Sequence, residues 1–287
     1  MRNKYLLCIP RGGFNDTLCE IEKCWRYAEE NQRILLIDTR KSGLHDDFWR
    51  YFSTDSIQVQ FEADYQLLNG LTSFPLEVQG RLDSYLSVYD QEATNFVEQG
   101  TRRKLTFDLA ASHAEDVLIH EQCWAGEFLS TACLGRLKLR PEIQTYITSQ
   151  IELTRLSNYV GIHVRNTDYK TDYKSLIDQV AGHFKGRDVL ICSDDFQVFE
   201  YAKTVLIESR LVRLSNFADN AGQPLHEKPC NDQYQTNIEM LADLMALANA
   251  STYICTTISG TAKYSGFSIL AHQLKDKPGL IHELFGQ

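Results

Sequence analysis

What the 287-residue chain lacks narrows its class before any motif is considered. No segment approaches the roughly 20 consecutive apolar residues that a membrane-crossing helix needs, so no helical membrane protein is expected. The 8 cysteines are scattered without a single Cys-x-x-Cys pair, which argues against a disulfide framework and against a zinc site. Cys8, Cys192 and Cys255 sit inside apolar runs, where cysteine behaves as a small hydrophobe, as expected in a reducing compartment. With 6 prolines, 16 glycines, no internal repeat and no low-complexity stretch, collagen-like and disordered architectures are excluded. Basic residues are outnumbered 29 to 38, for a net charge of −9. A broad nucleic-acid-binding surface is therefore not expected, although a local basic pocket for a small anion is compatible with that balance. The first ten residues resemble a signal peptide only superficially. Their apolar run is short, and Arg11-Gly12-Gly13 stands where a small-residue cleavage site would be needed. A cytoplasmic location follows as the expectation.

What is present is a repeated alternation of short apolar runs and helical patterns. Residues 5–9 form a strand that leads through a glycine turn into a helix over 17–30, where Thr17-x-x-Glu20 resembles a capping box. Residues 33–38 are a second strand without polar alternation, as in a parallel sheet covered on both faces. The middle, 42–106, gives weaker signals: an alternating strand at 57–61 and a helical stretch around 85–96. A short strand at 117–120 and a helix from 141 to 154, carrying Ile143, Ile147 and Ile151 on one face, complete the first half.

A second series then begins, with strands at 159–164, 188–192, 211–214 and 252–255 and helices at 174–184, 196–209, 234–250 and 262–274. The loop 215–232 is rich in Asn, Gly and Pro and is expected to order on ligand binding. The pattern predicts an α/β protein of two Rossmann-like domains, 1–156 and 157–287, facing each other across a cleft.

Three constellations carry chemistry. The stretch Pro10-Arg11-Gly12-Gly13-Phe14-Asn15-Asp16 joins a strand to a helix N-terminus, where free N–H groups favour an anion. It contains no Gly-x-Gly-x-x-Gly and no P-loop, and a simple tight turn explains the glycines equally. In Gly161-Ile-His163-Val-Arg165-Asn166-Thr-Asp168, His163 and Arg165 point to one side of a strand end. Arg165 suits two phosphate oxygens, or else forms an ion pair with Asp168 that holds the turn. Asp243, on the long helix, either caps a neighbouring loop or accepts two N–H bonds from a planar ligand such as guanine. Ser259, with Thr257 before it and Gly260 after it, precedes a helix and either holds phosphate there or serves as an N-cap.

Taken together, His163-Val-Arg165-Asn-Thr-Asp168, then Asp243, then Cys255-Thr-Thr-Ile-Ser259 resemble the successive motifs of the fucosyltransferase superfamily, which contains the α-1,2-, α-1,6- and protein O-fucosyltransferases. Arg11-Gly12-Gly13-Phe14-Asn15 also looks like the glycine loop that opens the first domain of those enzymes. The resemblance spans the C-terminal domain and the first 40 residues, and leaves about 43–150 unexplained. It implies a GT-B-type fold and an inverting glycosyltransferase with a GDP-sugar donor, usually GDP-fucose. It makes the first domain the acceptor side and the second the donor side.

Residue by residue, the resemblance implies that Arg165 holds the diphosphate with His163 beside it, Asp243 reads guanine, Ser259 holds phosphate and Asn15 contacts donor. The family's second signature arginine is Asn166 here, which removes a cation near the donor and keeps other nucleotide-sugars in play. Asp168 and Asp172 are the candidate bases for the acceptor hydroxyl. No metal and no other cofactor is expected, because no Asp-x-Asp between strands offers to hold Mg²⁺ and Asp194-Asp195 opens a helix. Size and the lack of an anchor suggest a bacterial-type enzyme of polysaccharide biosynthesis. Its acceptor would be a glycan or a lipid-linked oligosaccharide, and peripheral membrane association through that acceptor is compatible with the sequence. A non-catalytic nucleotide- or glycan-binding protein would keep Arg165 and Asp243 but lack a working base.

Overall fold

Six consecutive buried residues, Tyr5–Pro10, form the central strand of the first sheet. An unbroken apolar run suits a strand covered on both faces, and this one pairs in parallel with Ile34–Ile37 on one side and Val117–Gln122 on the other. The computed structural model describes residues 3–92, 94–123, 127–216, 223–224 and 230–285. It divides into two compact units, Met1–Leu137 and Lys138–Gln287.

In the first unit the sheet order is Val59–Gln60, Ile34–Ile37, Tyr5–Pro10, Val117–Gln122, Asn95–Glu98, Ser87–Asp90, with Ser73–Phe74 also pairing on Val117–Gln122. Helix Phe14–Glu30 connects the first two strands and buries Leu18, Ile21 and Trp25 completely. It starts three residues earlier than its pattern suggested, and the capping box does not form. Thr17 N–H instead donates to the Gly13 carbonyl at 2.9 Å. The Glu20 carboxylate is taken by His120 at 2.7 Å and Lys23 at 3.0 Å.

The stretch 85–96, expected to be helical, contributes to an antiparallel hairpin of Ser87–Asp90 and Asn95–Glu98. Its aromatic and β-branched residues fit a pleated surface better than a helix, and Tyr89 meets its cross-strand partner Phe96 at 5.3 Å between ring centroids.

The second unit is built on a parallel sheet in the order Arg210–Val212, Asp188–Ser193, Val160–Val164, Thr252–Cys255. The chain adds two strands on one side of Val160–Val164 and then crosses to its other side. The topological switch point therefore lies beyond the carboxyl ends of Val160–Val164 and Thr252–Cys255, where open α/β sheets bind ligands. One face of the sheet is covered by Ile177, Val198 and Ala202, packed with Val160, Ile162, Val189 and Ile191. On the opposite face, a Cβ on Gly161 would lie 3.0 Å from the Ala250 Cβ and 3.1 Å from the Leu247 Cδ2. Gly161 thus lets helix Gln233–Asn249 and the turn after it sit close on the strand, and Tyr159 fastens them through its hydroxyl to the Ala246 carbonyl at 2.6 Å.

Helix Pro141–Thr154 packs on Gln233–Asn249 with Ile143 and Ile147 buried, so it belongs to the second unit. The division consequently falls after Leu137 rather than near 157. The helix expected at 262–274 begins at Gly266, and a further helix, Pro278–Leu284, follows it. Most of the loop 215–232 lies outside the described residues. Among the described residues, no helix is long and apolar enough to cross a membrane. Two α/β units, each on a largely parallel sheet, match the fold class read from the sequence.

Candidate functional site

At the switch point of the second unit, Val160–Val164 delivers His163 and Arg165 to one strand end. His163 is buried, packs on the Phe267 ring at 5.0 Å and shares a 2.7 Å hydrogen bond between Nδ1 and the Ser268 hydroxyl. Burial, helped by the adjacent Arg165 charge, pulls its pKa down to about 3, so the ring is neutral at pH 7. Arg165, 18% exposed, divides its guanidinium between Asp168 at 2.7 Å and Asp194 at 2.9 Å. The ion pair offered as one reading of the sequence is therefore present, and a second carboxylate joins it.

Asn166, standing where the resembled family has arginine, is buried rather than directed at solvent. Its Nδ2 donates to Asp195 at 2.7 Å and its Oδ1 accepts from Thr171 N–H at 3.2 Å, which pins two loops together. The ammonium of Lys170 in turn donates to the Asn166 carbonyl at 3.0 Å, so a cation remains beside this position. Asp194 accepts from the Asn166 N–H at 2.9 Å and from the Thr167 hydroxyl, while Asp195 caps helix Phe196–Val205 through Gln197 N–H at 2.9 Å. Asp172 caps the next helix, Tyr173–Ala181, through Ser175 N–H at 3.2 Å.

The loop after Thr252–Cys255 is joined to this segment by two backbone bonds, Thr256 N–H to the His163 carbonyl at 3.2 Å and Ser259 N–H to the Lys170 carbonyl at 2.8 Å. The structure thus brings the Arg165 and Ser259 loops together. It does not place Ser259 at a helix N-terminus, however. Thr257 bridges to Tyr264, Ile258 N–H donates to the Lys263 carbonyl at 2.9 Å, and Gly260 adopts φ +75° at the turn. Ser259 is exposed on that turn. The N-cap is Ser265, whose hydroxyl oxygen accepts from Ser268 N–H at 3.1 Å. A Ser-Gly pair followed by an apolar run was the available signal for it. Thr256, also missed, is 6% exposed and its Oγ1 has no partner among the described residues.

Asp243 lies 6% exposed on Gln233–Asn249, beside Ser215 and the Cys192 thiol. Burial, only partly offset by these neighbours, pushes its pKa up to about 7, and its Oδ1 has no partner among the described residues. A buried, unsatisfied carboxylate oxygen is costly unless a ligand or water completes it.

In the first unit, the loop after Tyr5–Pro10 follows a comparable switch point, since this strand lies between Ile34–Ile37 and Val117–Gln122. Gly12 adopts φ +83°, and a Cβ there would fall 2.8 Å from the Cys123 Sγ and 2.9 Å from Asp16 Oδ2. Glycine is required by conformation and by space. Gly13 is the N-cap of Phe14–Glu30 without a side-chain capping bond. Behind it, Asn15 Oδ1, Asp16 Oδ1 and Thr17 Oγ1 are buried without a partner among the described residues. Burial raises the Asp16 pKa to about 6. Arg11 does not face a ligand alone: it is bonded to Glu121 at 2.9 Å through Nε and to Ser87 at 2.8 Å, and it stacks over Phe96 at 4.0 Å. The fully buried Glu121, also bonded to Tyr85 at 2.5 Å, is an anchor that no local pattern announced.

Among the described residues, no group of three or more His, Cys, Asp or Glu side chains is arranged to hold a metal ion.

No protein-family model matches the chain. Nodulation protein Z of Sinorhizobium fredii is 24% identical over 293 residues, covering 88% of this chain and 87% of that protein. Among solved structures, the fucosyltransferase NodZ from Bradyrhizobium superposes with a TM-score of 0.63 at 19% identity, over 95% of this chain and 94% of that one. POFUT1 in complex with GDP superposes with a TM-score of 0.52 at 11% identity, over 96% of each chain. The likeness in fold extends over nearly the whole length, and the chain has the GT-B-type fold of those proteins.

Proposed function

We propose that the chain is a glycosyltransferase that moves fucose from GDP-fucose to a hydroxyl of a glycan or lipid-linked oligosaccharide, with inversion and without a metal ion. The observation that carries this reading is the grouping at the second unit's switch point: Arg165 held by two carboxylates, with the unpartnered Thr256 hydroxyl on the adjoining loop. NodZ, which shares the fold, has been co-crystallised with GDP and soaked with GDP-fucose, which supports a guanine nucleotide as the ligand.

In this reading Arg165 and His163 bind the diphosphate, Thr256 and the 257–260 turn close on it, and Asp243 accepts the guanine N–H donors. Displacement at the anomeric carbon leaves negative charge on the diphosphate, and a fixed guanidinium stabilises that charge as it develops. Asp168 is engaged with Arg165, so the general base falls to Asp172, whose capping bond uses one oxygen. Asn15 and the Gly12-Gly13 loop form a second substrate-facing element, checked by Asn15→Ala.

A second reading changes only the donor, and the inward turn of Asn166 favours it, since the family's second arginine is missing from the donor face. A thermal-shift panel of GDP, UDP, dTDP and CMP separates the two: selective stabilisation by GDP is expected, and selective stabilisation by another nucleotide overturns the guanine assignment. GDP release from GDP-fucose, measured with and without acceptor, separates an enzyme from a binding protein.

A further inference from the structure

His163 is joined to helix Gly266–Lys275 by a chain of hydroxyls that the proposed chemistry does not by itself require. Ser265 Oγ and Ser268 Oγ are 2.9 Å apart, and Ser268 Oγ is 2.7 Å from His163 Nδ1. All three residues are at least nine-tenths buried, with exposures of 7%, 1% and 6%. The Cys255 thiol also lies beside Ser268.

Donor counting orients the first link of this chain. Ser265 Oγ already accepts the Ser268 amide N–H at 3.1 Å as the helix N-cap, so its own O–H points elsewhere. Among the described residues, the acceptor for that O–H is Ser268 Oγ. If Ser268 instead donated to Ser265, the Ser265 proton would be buried without an acceptor, the arrangement that folded proteins avoid. With Ser265 donating to Ser268, the Ser268 O–H has two neighbours to choose between, His163 Nδ1 at 2.7 Å and the Cys255 sulfur, and the imidazole nitrogen is the stronger acceptor. A neutral imidazole that accepts at Nδ1 carries its proton at Nε2. The low His163 pKa agrees with a neutral ring.

We propose that Ser268 is a positioning residue that fixes His163 in its Nε2–H tautomer, so that the ring offers a neutral hydrogen-bond donor to a phosphate oxygen beside Arg165. The phosphate clause rests on the donor-site reading above; the tautomer does not. The opposite tautomer would present a lone pair to the anion and repel it. The arrangement also explains how a histidine too buried to be charged can serve an anionic ligand: it acts through its dipole, with the charge left to Arg165.

The test is selective ¹⁵N-histidine labelling of the full chain, with His163 assigned from its loss in His163→Gln. At pH 7 the wild type should show a protonated Nε2 and an unprotonated Nδ1. Ser268→Ala should shift the ring towards mixed tautomers and weaken GDP binding by calorimetry about tenfold, the scale of one hydrogen bond to a charged ligand. Ser268→Thr, which keeps the hydroxyl, should restore both. A wild-type ring protonated at Nδ1 overturns the proposal, as does an unchanged tautomer in a folded Ser268→Ala protein. If Ser268→Ala is unfolded, Ser265→Ala gives the second reading of the relay. Failure of the wild type to bind GDP, with the tautomer as expected, would sink the donor assignment and the phosphate clause while leaving the Ser268 relay standing.

Discussion

Arg165 and Asp168 form an ion pair at 2.7 Å, and the other guanidinium nitrogen is held by Asp194 at 2.9 Å. The two carboxylates differ in surroundings. The Asp194 side chain is 8% exposed and also receives the Asn166 N–H, whereas the Asp168 side chain is 26% exposed. Asp194 is therefore the fixed support of the fork, and Asp168 is the arm that a diphosphate would displace under the proposed function.

Arg165→Lys should lower kcat about a hundredfold or more, the loss of about 3 kcal/mol expected when a fixed donor to the leaving group is removed. A lysine ammonium cannot reach Asp194 and a phosphate with the geometry of a planar fork. Stability should also fall, by about 1 kcal/mol, because two ion pairs are loosened while the charge is kept. Melting temperature and turnover measured together check this. A loss of turnover no larger than the loss of folded fraction would reduce Arg165 to a structural role.

Asp168→Asn and Asp172→Asn should separate binding from base catalysis. Asp168→Asn frees the fork, so GDP should bind as tightly as before or tighter, with kcat within about tenfold of wild type. Asp172→Asn keeps an equally good helix cap but removes the carboxylate, and should lower kcat by about a hundredfold or more with donor KM little changed. If Asp168→Asn is the variant that loses turnover, the base assignment reverses.

How far the sequence revealed the site depended on how local each cause was. Arg165, His163 and Asp168 were legible because one strand end and the turn after it place all three. The long helix bearing Asp243 was legible from its period, but the burial of Asp243 comes from Cys192 and Ser215, distant in sequence. Ser259 was misplaced because the turn 257–264 inserts a bridged loop ahead of the helix, and no periodic signal marks such a loop. The hairpin at 87–98 was taken for a helix because its aromatic spacing suits either period until Tyr89 is seen opposite Phe96. Asn166 could be read as a missing cation, but not as a pin between two loops, since Asp195 arrives from another strand.

Turnover should be indifferent to chelator and to added Mg²⁺ or Mn²⁺. Asp194 and Asp195 are the adjacent carboxylates that could have offered a cation site, and both are committed. Asp194 is held by Arg165 and Thr167, and Asp195 by Asn166 and the helix amide of Gln197. Loss of GDP release in chelator that Mg²⁺ or Mn²⁺ restores would contradict this.

If Asp243 accepts the guanine N–H donors as proposed, donor binding and folding should respond to pH in opposite senses. Its carboxyl is pushed up to about 7 by burial, from an ordinary value of 3.8. Guanine presents N–H donors, so the carboxylate form is the one that binds, and GDP affinity should rise as pH increases from about 6 to 8. For folding the sign is reversed. Between pH 3.8 and about 7 the folded state retains a proton that the unfolded chain has released. Stability is then lost progressively as pH rises through that window, with the whole penalty present above it, on the order of a few kcal/mol. Bound GDP should offset the penalty, because it engages only the folded carboxylate. Asp243→Asn keeps the shape but removes the titration, so its melting temperature should vary less across pH 4–8 and its GDP affinity should be weaker and nearly flat with pH. Paired melting and calorimetric series for wild type and Asp243→Asn decide the matter. Parallel pH dependence in the two proteins would move the titrating group elsewhere and take guanine recognition away from Asp243.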